Sequence, residues 1–181
     1  KTQIIGNKCL LRVALVGALV AATAATRAAS QVTASAGKRP NIVIILGDDL
    51  GYSDLGCFGS EIRTPHMDSL AMSGLRCTQF YTSASCSPTR SMLLSGVDTH
   101  LNGLGNMDEW TAPNQWGVDG YEGYLNNRVT TLPQLLKDAG YHTYMAGKWH
   151  MGKKPDEIPA ARGFERDFSL LAGAGSYWDM C

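Results

Sequence analysis

At 181 residues, with 44% hydrophobic and 18% charged residues, the chain has the composition of an ordinary globular protein with one hydrophobic core. Its formal net charge of zero conceals an asymmetry: residues 1–28 carry Lys1, Lys8, Arg12 and Arg27 and no acid, and the remainder holds 12 basic against 16 acidic residues, a net charge of −4. The later basic residues are scattered rather than clustered, which argues against a nucleic-acid-binding face.

The opening segment has a basic start (Lys1, Lys8, Arg12), an apolar run over residues 13–20, and then the small residues Ala21-Ala22-Thr23-Ala24-Ala25. That order is the pattern of a signal peptide over residues 1–28, and cleavage after Ala24 or Ala28 fits the small-residue rule. An amphipathic transit peptide is the alternative that the Arg and Ala content leaves open. The apolar run is too short for a permanent membrane span, so the expected mature protein is exported, either periplasmic or secreted. Residue 1 is Lys rather than Met, and the start reads as incomplete. Residues 29–40 are small and polar, a flexible leader to a domain beginning at Asn41.

Residues 42–46 are an unbroken β-branched and aliphatic run closed by Gly47, the pattern of a strand buried on both faces of a parallel sheet. Asp48 and Asp49 follow at once. Thr64-Pro65, a cap residue before proline, starts a predicted helix with Met67, Leu70 and Ala71 on one face and Gly74 as its stop. Residues 75–82 read as a strand. A second helix is predicted from near Pro88 to Gly96, placing Cys86 at or just before its amino end. Residues 97–128, rich in Gly, Asn and Trp, read as a long loop suited to lining a pocket. Leu132, Leu135, Leu136 and Ala139 then recur at helical spacing before Gly140, and residues 141–146 form a strand ending at Gly147, with Lys148-Trp149-His150 just beyond. Strands alternating with helices imply an α/β fold, a mostly parallel sheet flanked by helices, whose ligands bind beyond the carboxyl ends of strands. Both polar clusters fall at that edge. The chain ends at Trp178-Asp179-Met180-Cys181 without cap, charged tail or linker, soon after a Gly-rich loop at 172–175, and that end reads as truncated.

Cysteines stand at 9, 57, 77, 86 and 181, and Cys9 would leave with the signal. No Cys-x-x-Cys pair or histidine at zinc spacing accompanies them, which argues against structural zinc. In an exported protein some could pair as disulfides, and the sequence leaves the pairing open.

Singly, each polar residue has a plain reading. An Asp pair after a strand is commonly a turn or helix cap, a lone Cys a small buried hydrophobe, Lys148 a solvated strand-end charge, and His150 a core histidine. His66, His142 and Trp149 read as structural, His100 stays open, and Asp108, Glu109, Asp119 and Glu122 read as a solvated face.

In combination the reading changes. Cys86-Ser87-Pro88-Thr89-Arg90, followed by Ser91-Met92-Leu93-Leu94-Ser95-Gly96, closely resembles the signature of the type I sulfatases. Gly47-Asp48-Asp49-Leu50-Gly51, Thr64-Pro65-His66-Met67-Asp68-Ser69-Leu70 and Gly147-Lys148-Trp149-His150 resemble further elements of that family, in its order, over residues 40–181. Gly96-Val97-Asp98-Thr99-His100 and Gly103-Leu104-Gly105-Asn106-Met107 look nearest to bacterial arylsulfatases.

The resemblance implies an alkaline-phosphatase-like fold in which residues 41–181 are the amino-terminal part of a sulfatase catalytic domain. It implies that a formylglycine-generating enzyme recognises Cys86, Pro88 and Arg90 and oxidises Cys86 to formylglycine, an aldehyde whose hydrate is the nucleophile. It further implies a Ca²⁺ or Mg²⁺ ion on Asp48, Asp49 and the oxygen derived from Cys86, with Arg90 holding the formylglycine hydroxyl. Lys148 would bridge a sulfate oxygen and the nucleophile, and His150 would take a proton as sulfate leaves. The family also has a later Asp-Asn metal pair and further His and Lys groups that no residue here matches. The implied function is hydrolysis of a sulfate monoester, arylsulfatase-like. Phosphonate or phosphodiester hydrolysis by the same nucleophile stays open, as does a truncated or unmodified chain that binds metal or anions without turnover.

Overall fold

A computed structural model describes residues 39–176 and Trp178; the proposed signal segment, most of the leader, Cys9 and Cys181 lie outside them. From Leu46 onward the described chain belongs to one compact unit. No helix among the described residues is long and apolar enough to cross a membrane.

Helix α1 spans Pro65–Ser73, with proline in its first turn where its missing N–H costs nothing. Thr64 ties this start down: its hydroxyl accepts from the Gly56 N–H at 2.8 Å and donates to Asp68 at 2.9 Å. Asp68 also accepts from the Cys57 N–H, joining α1 to the short 3₁₀ turn Gly56–Phe58. The face assigned to the core from spacing, with Met67 and Leu70, is exposed.

Helix α2 spans Cys86–Ser95 and starts two residues earlier than its sequence suggests. Pro88 sits third in the helix, where backbone N–H groups have no intrahelical acceptor, so proline marks the first turn rather than the first residue. Gly96 ends α2 in a left-handed conformation, φ 66°, returning its N–H to the Met92 carbonyl at 2.8 Å. Within the predicted loop 97–128 lie a short helix α3, Thr99–Asn102, and two 3₁₀ turns, Asp108–Trp110 and Pro113–Gln115. Helix α4 spans Leu132–Asp138 and is capped by Thr131, whose hydroxyl accepts from the Gln134 N–H.

Strand β1 covers Tyr144–Lys148 and pairs in parallel with β2, Arg166–Leu170. β1 begins later than predicted because Gly140 and Tyr141 still bond back to α4, and Thr143 spends its carbonyl on the Glu165 N–H at the mouth of the ladder. The connection of 17 residues contains the 3₁₀ turn Pro159–Arg162, a length that a parallel pair requires. The buried core forms around this ladder, with Trp149 and Met151 just beyond β1 packed on Leu104 and Leu125. Arg162 is buried beside it, donating to the carbonyls of Asn126 at 2.9 Å and Val129 at 3.1 Å and to the Asn127 side chain. Burial pulls its guanidinium below its usual range.

Two expected strands are corrected. Neither residues 42–46 nor residues 75–82 form one; Val43 is 80% exposed and Leu75 91% exposed. A strand exists through its hydrogen-bonded neighbours, and among the described residues only β1 and β2 supply them to each other.

Candidate active site

Three separated segments converge on the carboxylate of Asp48. Arg90, on the first turns of α2, donates from Nη2 to Asp48 Oδ1 at 3.1 Å, and Lys148, the last residue of β1, donates from Nζ to Asp48 Oδ2 at 3.0 Å. Arg90 also donates from Nη1 to the Lys148 carbonyl at 2.7 Å, so one buried guanidinium clamps the carboxylate and the strand end. Cys86, four residues before Arg90 and on the same helix face, stands at the amino end of α2 with its Sγ 3.9 Å from Asp49 Oδ1. These groups, Lys148 excepted, line one cleft with Leu46, Thr82, Ser83 and Ser85.

The electrostatics follow from this packing. Burial pushes the Asp48 carboxyl up, but the hydrogen bonds and charges of Lys148 and Arg90 outweigh it and hold Asp48 below the usual carboxylate range. Burial likewise pulls the Lys148 ammonium down, yet Asp48 and, more weakly, the Cys86 side chain raise it above its ordinary value. Both groups are therefore charged at neutral pH.

Asp48, Asp49 and Cys86 each offer a ligand atom, and these atoms lie within 4.8 Å of one another. The donor set fits a hard divalent cation through its carboxylates, and each Asp48 oxygen keeps a lone pair after accepting from Arg90 or Lys148. The soft Cys86 thiol fits such an ion poorly, whereas an oxygen at position 86 would add a third hard donor.

His150 follows a different geometry. Its backbone is left-handed, φ 57°, a conformation shared among non-glycine described residues only with Asp49, φ 54°. Backbone strain of this kind concentrates at functional positions. The ring is buried, and its Nε2 lies 3.1 Å from both Oε1 and Oε2 of Glu109. It lines a second cleft with Glu109, Tyr124 and Ser87, so the adjacent residues Cys86 and Ser87 open onto different clefts.

The sulfatase family model matches residues 40–181. The chain belongs to the sulfatase family. It is 54% identical over 144 residues to an uncharacterised sulfatase of Schizosaccharomyces pombe, covering 78% of this chain and 26% of that protein. With an arylsulfatase of Klebsiella aerogenes it shares 45% identity over 142 residues, covering 78% of this chain and 30% of the relative. Among solved structures, the PsFucS1 sulfatase from Pseudoalteromonas superposes with a TM-score of 0.61 at 29% identity, covering 75% of this chain and 26% of that one. The chain thus spans under a third of each relative's length, and the fungal identity shows that its likeness extends beyond bacterial arylsulfatases.

Of the residues picked out from this sulfatase sequence, Asp48, Asp49, Cys86, Arg90 and Lys148 come together, while His150 is turned to Glu109. Of the acidic residues expected on a solvated face, Glu109 is exposed but also bonded to His150, whereas Glu122 is largely covered. Glu109 holds the His150 ring, and Glu122 accepts from the Gly120 N–H at 2.8 Å and pairs with Arg128. Nothing local marked Glu109, which meets His150 across 41 residues. His100 bonds Tyr121 at 3.0 Å, His142 pairs with Glu165 on the surface, and Trp149 is buried in the core as expected. Cys57, Cys77 and Cys86 are free thiols.

Proposed function

We propose that the protein hydrolyses sulfate monoesters, with residue 86 as nucleophile after a formylglycine-generating enzyme has converted Cys86 to formylglycine. The observation that carries this reading is the convergence of Asp48, Asp49, Cys86, Arg90 and Lys148 at the amino end of α2.

Attack on a sulfate ester requires its anionic oxygens to be neutralised and its leaving oxygen to be stabilised. Lys148, charged and anchored by Asp48, suits contact with a sulfate oxygen beside residue 86. Arg90 fixes Asp48 and the end of β1 and lies on the helix face of residue 86, in reach of a hydroxyl there. The amino end of α2 adds its positive dipole where negative charge gathers. A Ca²⁺ or Mg²⁺ ion on Asp48, Asp49 and an oxygen of residue 86 would supply further charge neutralisation. As one hydroxyl oxygen of the hydrate bonds to sulfur, the S–O bond to the alcohol or phenol breaks and the hydroxyl proton leaves on the departing oxygen; the second hydroxyl then gives its proton to His150 while the C–O bond to sulfate breaks, releasing sulfate and restoring the aldehyde. We assign residues 1–28 to an export signal and residues 41–181 to the catalytic domain, which places the protein in the periplasm or outside the cell.

Comparing kcat/KM for an aryl sulfate and an aryl phosphonate ester, using protein matured with the formylglycine-generating enzyme, tests this reading. Preference for the sulfate is expected. Preference for the phosphonate, or no sulfate turnover by aldehyde-bearing protein, would contradict it.

A further inference from the structure

Glu109 lies at the centre of the 3₁₀ turn Asp108–Trp110, which is pinned by the Trp110 N–H on the Met107 carbonyl at 3.0 Å and by Asn106 Nδ2 on the Trp110 carbonyl at 2.7 Å. Burial pushes its carboxyl up, but its own backbone N–H and the bond to His150 outweigh that, and the group is held below the usual carboxylate range. An ionised carboxylate can only accept. The ring atom between its two oxygens, His150 Nε2, must therefore carry the proton, and the opposite atom, Nδ1, is left as a lone pair in the neutral ring. That Nδ1 is buried and has no hydrogen-bond partner among the described residues. With Nε2 engaged by Glu109, Nδ1 is the ring atom left available to accept a proton.

Backbone packs directly against the pair. A Cβ on Gly173 would lie 2.5 Å from both Cε1 and Nε2 of His150 and 3.0 Å from Oε1 of Glu109, so the Gly-rich loop closes over them as bare backbone. From the other side, the His150 N–H is bonded to the Leu171 carbonyl at 3.2 Å, fixing the left-handed backbone that turns the ring towards Glu109.

We infer that Glu109 is the positioning residue of His150: it accepts the Nε2 proton, fixes the Nε2–H tautomer and reserves Nδ1 as the proton-accepting atom. The role of that proton in turnover rests on the sulfatase reading above; the tautomer does not. Glu109 touches neither sulfate nor nucleophile in this scheme and acts through His150, as a carboxylate orients imidazole in other proton-transfer sites.

The test is long-range ¹⁵N–¹H spectroscopy of the protein labelled in its histidine rings, with the His150 signals identified among the four histidines by their loss in His150→Asn. The neutral wild-type ring is expected to carry its proton on Nε2. Glu109→Gln should give mixed tautomers and lower kcat on an aryl sulfate by on the order of tenfold to a hundredfold, with KM changed by less than about twofold. Gly173→Ala should disturb the same ring signals, which keeps the test decisive if Glu109→Gln does not fold. A wild-type ring protonated on Nδ1 would overturn the assignment, as would a Glu109→Gln protein with unchanged tautomer and kcat. A changed tautomer with unchanged kcat would overturn the positioning role. No sulfate turnover by wild-type protein with the Nε2–H ring would sink the activity while upholding the hold of Glu109 on His150.

Discussion

Lys148 and Asp48 stand 100 residues apart in the chain and meet at 3.0 Å, and the buried Arg90 guanidinium bonds the carboxylate of one and the carbonyl of the other. The strand end and the acidic loop are thus braced by the helix that presents Cys86. Removing Asp48 leaves Arg90 a partly unpaired buried cation, and Asp48→Asn should lower the unfolding midpoint while Asp49→Asn, which lacks these partners, lowers it less. Thermal melts of the two variants decide it; equal losses would contradict the brace.

The same residues set metal affinity. Ca²⁺ or Mg²⁺ binding measured by calorimetry on the protein should weaken by about tenfold or more in Asp48→Asn and in Asp49→Asn, and chelation should abolish sulfate turnover. Stoichiometric zinc alone, or turnover surviving thorough chelation, would remove Asp48 and Asp49 from the ligand set.

The pH dependence has a definite sign. Asp48 is lowered from 3.8, so its contribution to stability is complete above that value and is lost as pH falls through the lower folded value. Lys148 is raised from 10.5, so its contribution is complete below that value and is lost as pH rises through the higher folded value. The stability difference between wild type and Asp48→Asn should be flat across neutral pH and shrink only at the acid and alkaline ends. Urea unfolding across that range measures it, and a difference that titrated away near neutrality would contradict the pairing.

Arg162 makes a prediction about the fold alone. Its buried guanidinium serves the carbonyls of Asn126 and Val129 and the Asn127 side chain, so Arg162→Ala strands buried acceptors and should cost about 2–4 kcal/mol. Arg162→Lys should recover little, since a single ammonium cannot reproduce the planar fork. Denaturant unfolding gives the values; a loss under about 0.5 kcal/mol would contradict the structural role.

What could be read from sequence was local. Thr64-Pro65 and Gly74, or Gly96, mark helix ends because caps and breakers act within one turn. The Cys86 motif and the Asp pair, plain when taken singly, were legible as chemistry through their joint resemblance to the type I sulfatases. Residues 42–46 and 75–82 carry the composition of strands but find no ladder among the described residues, whereas β2, which has one, went unmarked. Long-range partners such as Glu109 for His150, or the choice of which acidic residues stay in solvent, depend on packing that no short window contains.

The central claim is that residue 86 becomes an aldehyde nucleophile. Peptide mass spectrometry of protein made alongside the formylglycine-generating enzyme should find the peptide containing residue 86 lighter by about 18 Da than the cysteine form, the change from thiol to aldehyde, and Cys86→Ser should be nearly inactive. A peptide carrying only the free thiol or a disulfide, in a protein that still turns over sulfate esters, would contradict it.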